Sequence, residues 1–172
     1  MNSKNLLSLF LIVVFQLTNN IISAQNKGKS EDPAKTKDPV VNYAEFQIAS
    51  QDEFYKKCIT AMHLADFDID PVKSDYGKEN GLIVTNNIIF RWADMTCTYS
   101  ISLHAYSIDE SRKALHIIFN DIKLSAGTPI GQRAMNMFNN SIASNVDNFI
   151  SELEKMAGKS LLIKTISLNI QP

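Results

Sequence analysis

The sequence predicts an α+β fold: a curved antiparallel sheet of about four to six strands, with a short N-terminal helix and a long C-terminal helix packed on one face. Three observations carry that expectation. Strand-like segments cluster between two helical ones instead of alternating with them, which separates α+β from doubly wound α/β folds. Met95 to Tyr106 alternates strictly, with Met95, Cys97, Tyr99, Ile101, Leu103 and Ala105 on one side and Thr96, Thr98, Ser100, Ser102, His104 and Tyr106 on the other. That is the pattern of a strand with one packed and one wet face. Ile130, Ala134, Met135, Phe138, Ile142, Val146, Phe149, Ile150, Leu153 and Met156 keep helical spacing in one continuous stripe, which predicts a long amphipathic helix.

The remaining elements follow in chain order. Tyr43 to Ala49 reads as a short strand. Ser50-Gln51-Asp52-Glu53 has the spacing of a capping box, so a helix is expected from Gln51 to Ala65 with Phe54, Tyr55, Cys58, Ile59 and Met62 as its apolar stripe. Phe67 and Ile69 then alternate with Asp66, Asp68 and Asp70, which read as the wet side of a strand leading to Pro71. After a polar turn around residues 76–81, Leu82–Thr85 and Ile88–Trp92 are strand-like, with Asn86-Asn87 as an irregularity. Asp109-Glu110-Ser111 supplies a turn, and Ala114 to Leu124 returns as the next strand. A turn centred on Glu110 pairs Ala105 with Leu115, Leu103 with Ile117 and Ile101 with Phe119, all on the apolar face. A slip of one residue would break that agreement. Thr128 is placed to cap the long helix, with Pro129 in its first turn and Gly158 as terminator. Leu161 to Ile170 alternates weakly, as a final edge strand would.

The first 24 residues read as a targeting segment and not as part of this fold. Lys4 precedes the compact apolar run Leu6–Phe15, and Ile22-Ser23-Ala24 ends a polar stretch before Gln25. This is the order of a secretory signal peptide cleaved between Ala24 and Gln25. The run is too short for the ~20 residues that span a bilayer, and Gln16, Thr18, Asn19 and Asn20 interrupt any extension. An uncleaved anchor is the rival reading. The first cysteine is Cys58, so no lipoprotein cleavage site is present. Residues 25–40 are mixed in charge, carry two prolines and lack aromatic side chains, and such a segment cannot offset its ordering entropy by burial. The expected organisation is therefore leader 1–24, disordered tether 25–40 and a single domain 41–172. The expected product is exported, periplasmic or secreted, and soluble, with no transmembrane segment once the leader is removed.

On these residues the chain resembles a group of uncharacterised secreted bacterial proteins with a TATA-binding-protein-like domain, of helix-grip-like layout. The likeness rests on the leader ending Ser23-Ala24-Gln25, the helix carrying Glu53-Phe54-Tyr55, Gly81-Leu82-Ile83 after a polar turn, the strand Tyr99-Ser100-Ile101-Ser102-Leu103, and Arg112-Lys113 opening the next strand. It covers roughly residues 43–157. It implies the fold and brings no catalytic residues with it.

Composition narrows the function. Seventeen basic side chains stand against 18 acidic ones, so no strong field recruits nucleic acid. Enzyme motifs, a P-loop and a dinucleotide glycine pattern are absent. Neither a cofactor nor a catalytic residue is expected, and the chain does not read as an enzyme. His104 and His116 would face each other across the hairpin, but a zinc site needs three or four ligands and His63 lies on a helix, so no metal is expected. Cys58 and Cys97 both lie on apolar faces, and an oxidising compartment would permit a disulfide between them, with two separate buried thiols as the alternative. Arg91 and Trp92, beside a hairpin tip, form a candidate binding anchor that Phe90 and Tyr106 would widen. The expected function is an exported, non-enzymatic binding module whose partner is an unidentified envelope protein. The alternative is a carrier of a small apolar ligand, with a cavity between sheet and long helix.

Overall fold

The structure is a computed structural model that describes residues 39–75 and 81–168. The expected leader, most of the expected tether and the end of the last expected strand lie outside them. Among these residues eight elements follow one another: β1 (Val40–Gln47), α1 (Gln51–Leu64), β2 (Leu82–Val84), β3 (Ile88–Trp92), β4 (Met95–Ser107), β5 (Arg112–Ala126), α2 (Gln132–Ala157) and β6 (Leu162–Ile166). The fold is α+β, as expected. One antiparallel six-stranded sheet runs β2-β4-β5-β1-β6, and β3 pairs with β4 beside β2.

The β4–β5 hairpin has the expected register: Ala105 faces Leu115, Leu103 faces Ile117, Ile101 faces Phe119 and His104 faces His116. The register then shifts by one between Thr98 and Ser100. On β5 the shift coincides with Asp121, whose φ is +52°. The inward positions therefore change from Leu115, Ile117 and Phe119 to Ile122, Leu124 and Ala126, all of which pack on the core. A bulge of this kind bends the strand while keeping its apolar residues on one side.

Ser50 caps α1, its hydroxyl accepting from Glu53 N at 3.1 Å. The Glu53 carboxylate pairs with Lys57 at 2.7 Å. α2 begins later than expected. Gly131, which has no side chain to cap with, stands at its N-cap, and the Thr128 hydroxyl donates to Asp94 at 2.7 Å across the mouth of the hairpin. Gly158 ends α2 at φ +86°. Residues 66–70 do not form the expected strand. Asp66 leaves α1 at φ +60°, Asp68 accepts from Asn86 Nδ2 at 2.7 Å, and Asp70 accepts the amides of Val72 and Lys73 in a local turn. Side-chain to backbone bonding of this type competes with strand formation. Phe67 and Ile69 are buried all the same, and only Ile69 forms an isolated bridge, to Thr85.

Both helices lie on the inward face of the sheet. Phe138 of α2 meets Tyr99 at 5.8 Å and Phe90 at 5.7 Å between ring centroids. Phe149 meets Phe67 edge-on at 6.5 Å, and Phe54 of α1 meets Phe46 at 5.6 Å. Lys113 is 2% exposed and reaches the carbonyls of Asp109 and Glu110 with its Nζ, at 2.9 and 3.3 Å. Its stem joins the core and its head closes the β4–β5 turn.

The α2–β6 corner is held by Glu154. Its carboxylate accepts from Lys159 Nζ at 2.7 Å, from Ser160 Oγ at 2.6 Å and from Ser160 N at 3.1 Å. The Lys159 ammonium first, then the Ser160 hydroxyl, bring its pKa down to about 2 from the ordinary 4.5. A lowered carboxylate adds stability that is fully present above the unfolded value and lost as pH falls through the folded one. Thermal melts between pH 5 and pH 2 should show the wild type losing stability through that window. In Glu154→Gln the part of the slope due to this group should be missing. Parallel slopes for the two proteins would remove Glu154 from the account.

Candidate functional site

The sheet has two unlike faces. One is closed by α1 and α2. The opposite face carries no helix among the described residues, and the alternation of β1, β4 and β5 sends their polar residues there. Three independent registers set a row across it. Lys164 of β6 faces Tyr43 of β1, Tyr43 faces His116 of β5, and His116 faces His104 of β4. The next row holds Glu45, Ala114 and Tyr106.

Tyr43 is the hub of these rows. Lys164 Nζ lies 4.8 Å from its ring centroid, a cation–π contact. Its hydroxyl donates to Glu45 Oε1 at 2.7 Å, and Glu45 in turn faces Arg112 at 3.7 Å. Desolvation, then the bond to Glu45, push the Tyr43 phenol well above its ordinary range, with Tyr106 adding to the shift. Tyr43 is therefore a neutral hydrogen-bonding aromatic at any physiological pH, not a nucleophile. Arg112 also bonds Asp109 at 2.7 Å, and that guanidinium brings the Asp109 carboxyl down to about 2. Tyr106 is 40% exposed and Ile118 37%. The rows around Tyr43 thus offer aromatic faces, two imidazoles and the Lys164 ammonium on one face of the sheet, a composition suited to binding.

The four residues proposed from sequence do not assemble into one site. Trp92 and Phe90 point inward and are packed against the core, with Phe90 on Phe138. Arg91, between them, is exposed. Trp92 does stand at a hairpin tip, opposite Met95 and before the turn Ala93-Asp94. Tyr106 lies eleven residues beyond Met95 on β4, about 36 Å away at strand rise. The histidines separate likewise. His104 and His116 share the open face, whereas exposed His63 ends α1 on the closed side. Among the described residues no group of three or more His, Cys, Asp or Glu side chains is placed to hold a metal ion.

Cys58 and Cys97 are free thiols, each fully buried, so the disulfide entertained from sequence is not formed. The reason is position. α1 is tied to the far end of β4, where Gln51 Nε2 donates to Ala105 O at 2.8 Å. Cys97 sits eight residues from Ala105, about 26 Å along the strand, where its strand partner Phe90 packs on Phe138 of α2. Burial pushes the Cys97 thiol up to about 11 and raises that of Cys58 as well. Neither supplies a thiolate for nucleophilic chemistry.

A cavity of about 430 Å³ is lined by Pro39, Asn140, Ala143, Ser144 and Asp147. It runs beside α2 and the start of β1, outside the sheet–helix interior, and Asn140 Oδ1 is a buried acceptor with no hydrogen-bond partner. Three of its five lining side chains are polar, which does not suit an apolar cargo. The residues missed from sequence are Tyr43, Glu45 and Lys164. Their assembly depends on β1 lying between β5 and β6, a pairing that no local pattern announces.

No family model matches the chain, and no curated protein matches it. Among solved structures it is similar to the crystal structure of a TBP-like protein from Parabacteroides distasonis ATCC 8503. The two share 14% identity, with 74% of this chain and 97% of that one covered at a TM-score of 0.44.

Proposed function

We propose that this chain is an exported, non-enzymatic binding module that meets an envelope protein through the helix-free face of its sheet. The observation that carries this reading is the row Lys164–Tyr43–His116–His104, with Tyr106 beside it, on a face left uncovered by the described helices. Export rests on the leader pattern of residues 1–24. The sheet–helix interior supports surface binding over an apolar cargo: Phe138 and Phe149 are fully buried inside it and Phe119 packs against the same core. Site-specific photo-crosslinking tests the reading. A photoreactive residue at position 106 should trap a discrete envelope protein, and the same residue at Lys56, exposed on α1, should not. Replacing His104 and His116 by Ala should weaken the trapped band at position 106. Equal labelling from both positions would overturn the assignment of the face.

A further inference from the structure

The two sides of the molecule treat their charges differently. Every lysine of the two helices has a carboxylate: Lys56 meets Asp52 at 2.7 Å, Lys57 meets Glu53 at 2.7 Å and Lys155 meets Glu152 at 2.6 Å. On the strands of the open face, Arg91, Lys123 and Lys164 have none among the described residues. Lys164 has the Tyr43 ring instead. The registers place the other two on the polar side of β4, where Arg91 faces Thr96 and Lys123 faces Thr98. All three are exposed. The acids do not balance them. Glu45 is held by Tyr43 and Arg112, which leaves Asp121, exposed at the bulge, as the one strand carboxylate of β5 without an ion pair. Apolar side chains lie on the same face: Ile89 opposite Thr98 is 55% exposed, and Ile118 opposite Ser102 is 37% exposed.

We propose that the partner of this face is a protein surface that carries carboxylates in two groups, one meeting Lys164 and the other meeting Lys123 and Arg91, with apolar side chains between them. The inference rests on the reading of the open face as the binding surface. A cation covered by a partner without an opposite charge loses its water and gains nothing in return, whereas a carboxylate set against it restores the balance and fixes the register. The strands set the spacing. The row of Lys164 crosses β4 at His104, and that of Lys123 crosses it at Thr98. Those positions are six residues apart, about 20 Å at strand rise. Ile118 lies between the two rows, Ile89 lies in the second and Tyr106 stands just beyond the first. A uniform polyanion would leave these apolar side chains unmatched, and the chain's net charge of −1 gives polyanions no long-range pull. Carboxylates flanking an apolar centre match both features.

The first test uses the full chain with a photoreactive residue at position 106. Adding Arg91→Glu and Lys123→Glu together should weaken the trapped band about 10-fold or more, and so should raising the salt from about 25 mM to about 500 mM. Lys56→Glu, on α1, should leave the band unchanged. Arg91 and Lys123 hold no ion pair among the described residues, so the double variant should keep the wild-type circular dichroism spectrum. A band that resists both changes would overturn the proposal and leave the face standing as the binding surface. No band at position 106 would overturn the reading of the face and this inference with it. The second test needs no natural partner. A peptide of about ten residues, with glutamates at both ends and leucines between, should shift the amide resonances of Thr98, Lys123 and Lys164 in the labelled protein. The same peptide with glutamine for glutamate should not. Equal shifts from both peptides, shifts confined to the helices, or tighter binding to phosphatidylglycerol vesicles than to the acidic peptide would each overturn the proposal.

Discussion

Gly81→Ala is expected to cost about 4 kcal/mol or more, enough to leave much of the protein unfolded at physiological temperature. Gly81 enters β2 at φ +41°, where any side chain is strained. A Cβ built there would lie 2.1 Å from the carbonyl oxygen of Ala105 and 3.1 Å from its carbon. Both are backbone atoms of β4, paired on both sides, and cannot step aside. The Gly81 carbonyl also accepts Ala105 N at 2.9 Å, so relieving the clash would break a ladder bond at the β2–β4 edge. Urea denaturation measures the loss, and Leu82→Ala, one residue on and only partly buried, serves as the mild comparison. A Gly81→Ala midpoint within experimental error of wild type would refute the close approach of β2 to β4.

Phe138→Ala should lose about 3–5 kcal/mol, which for a domain of this size lowers Tm by about 10 °C. Phe138 is fully buried, and its ring meets Tyr99 on β4 and Phe90 on β3. It is the point where α2 grips the β3–β4 hairpin. Its removal costs the transfer energy of the ring and leaves a cavity that two strands and a helix cannot close together. Phe138→Leu should lose clearly less. Equal losses would mean that the site relaxes freely and that α2 is not clamped there. The truncation should also loosen Trp92, which packs on the same core, so its fluorescence gives a local readout beside the global melt.

Much of this fold can be read along the chain. The β4–β5 register follows from apolar alternation on either side of a short polar turn, and the long helix from its stripe. Four features escape such a reading, and in two of them, Thr128 and Asp68, a distant partner decides the outcome. The bulge at Asp121 reverses the facing of β5, and its trace in sequence is the change from odd to even apolar positions between Phe119 and Ile122. Thr128 lies three residues before the N-cap of α2 and bonds Asp94 instead. Asp68 serves Asn86, eighteen residues away, instead of the wet side of a strand. Lys113 reads as a surface residue and is buried because two turn carbonyls satisfy its ammonium.

The same division runs through the candidate sites. Phe90, Arg91 and Trp92 draw attention because they are adjacent and chemically rich, but adjacent residues on a strand point to opposite faces. Tyr43, His116, His104 and Lys164 are scattered through the sequence and meet because four strands align them. Local pattern suffices for the α+β class, the hairpin register and the extents of the two helices to within a turn, since periodicity and turn chemistry act over a few residues. The neighbours of β1 and the face that the described helices leave uncovered emerge only when the whole chain is folded. Those outcomes depend on non-local strand pairing, whose energy comes from burial against residues far along the chain.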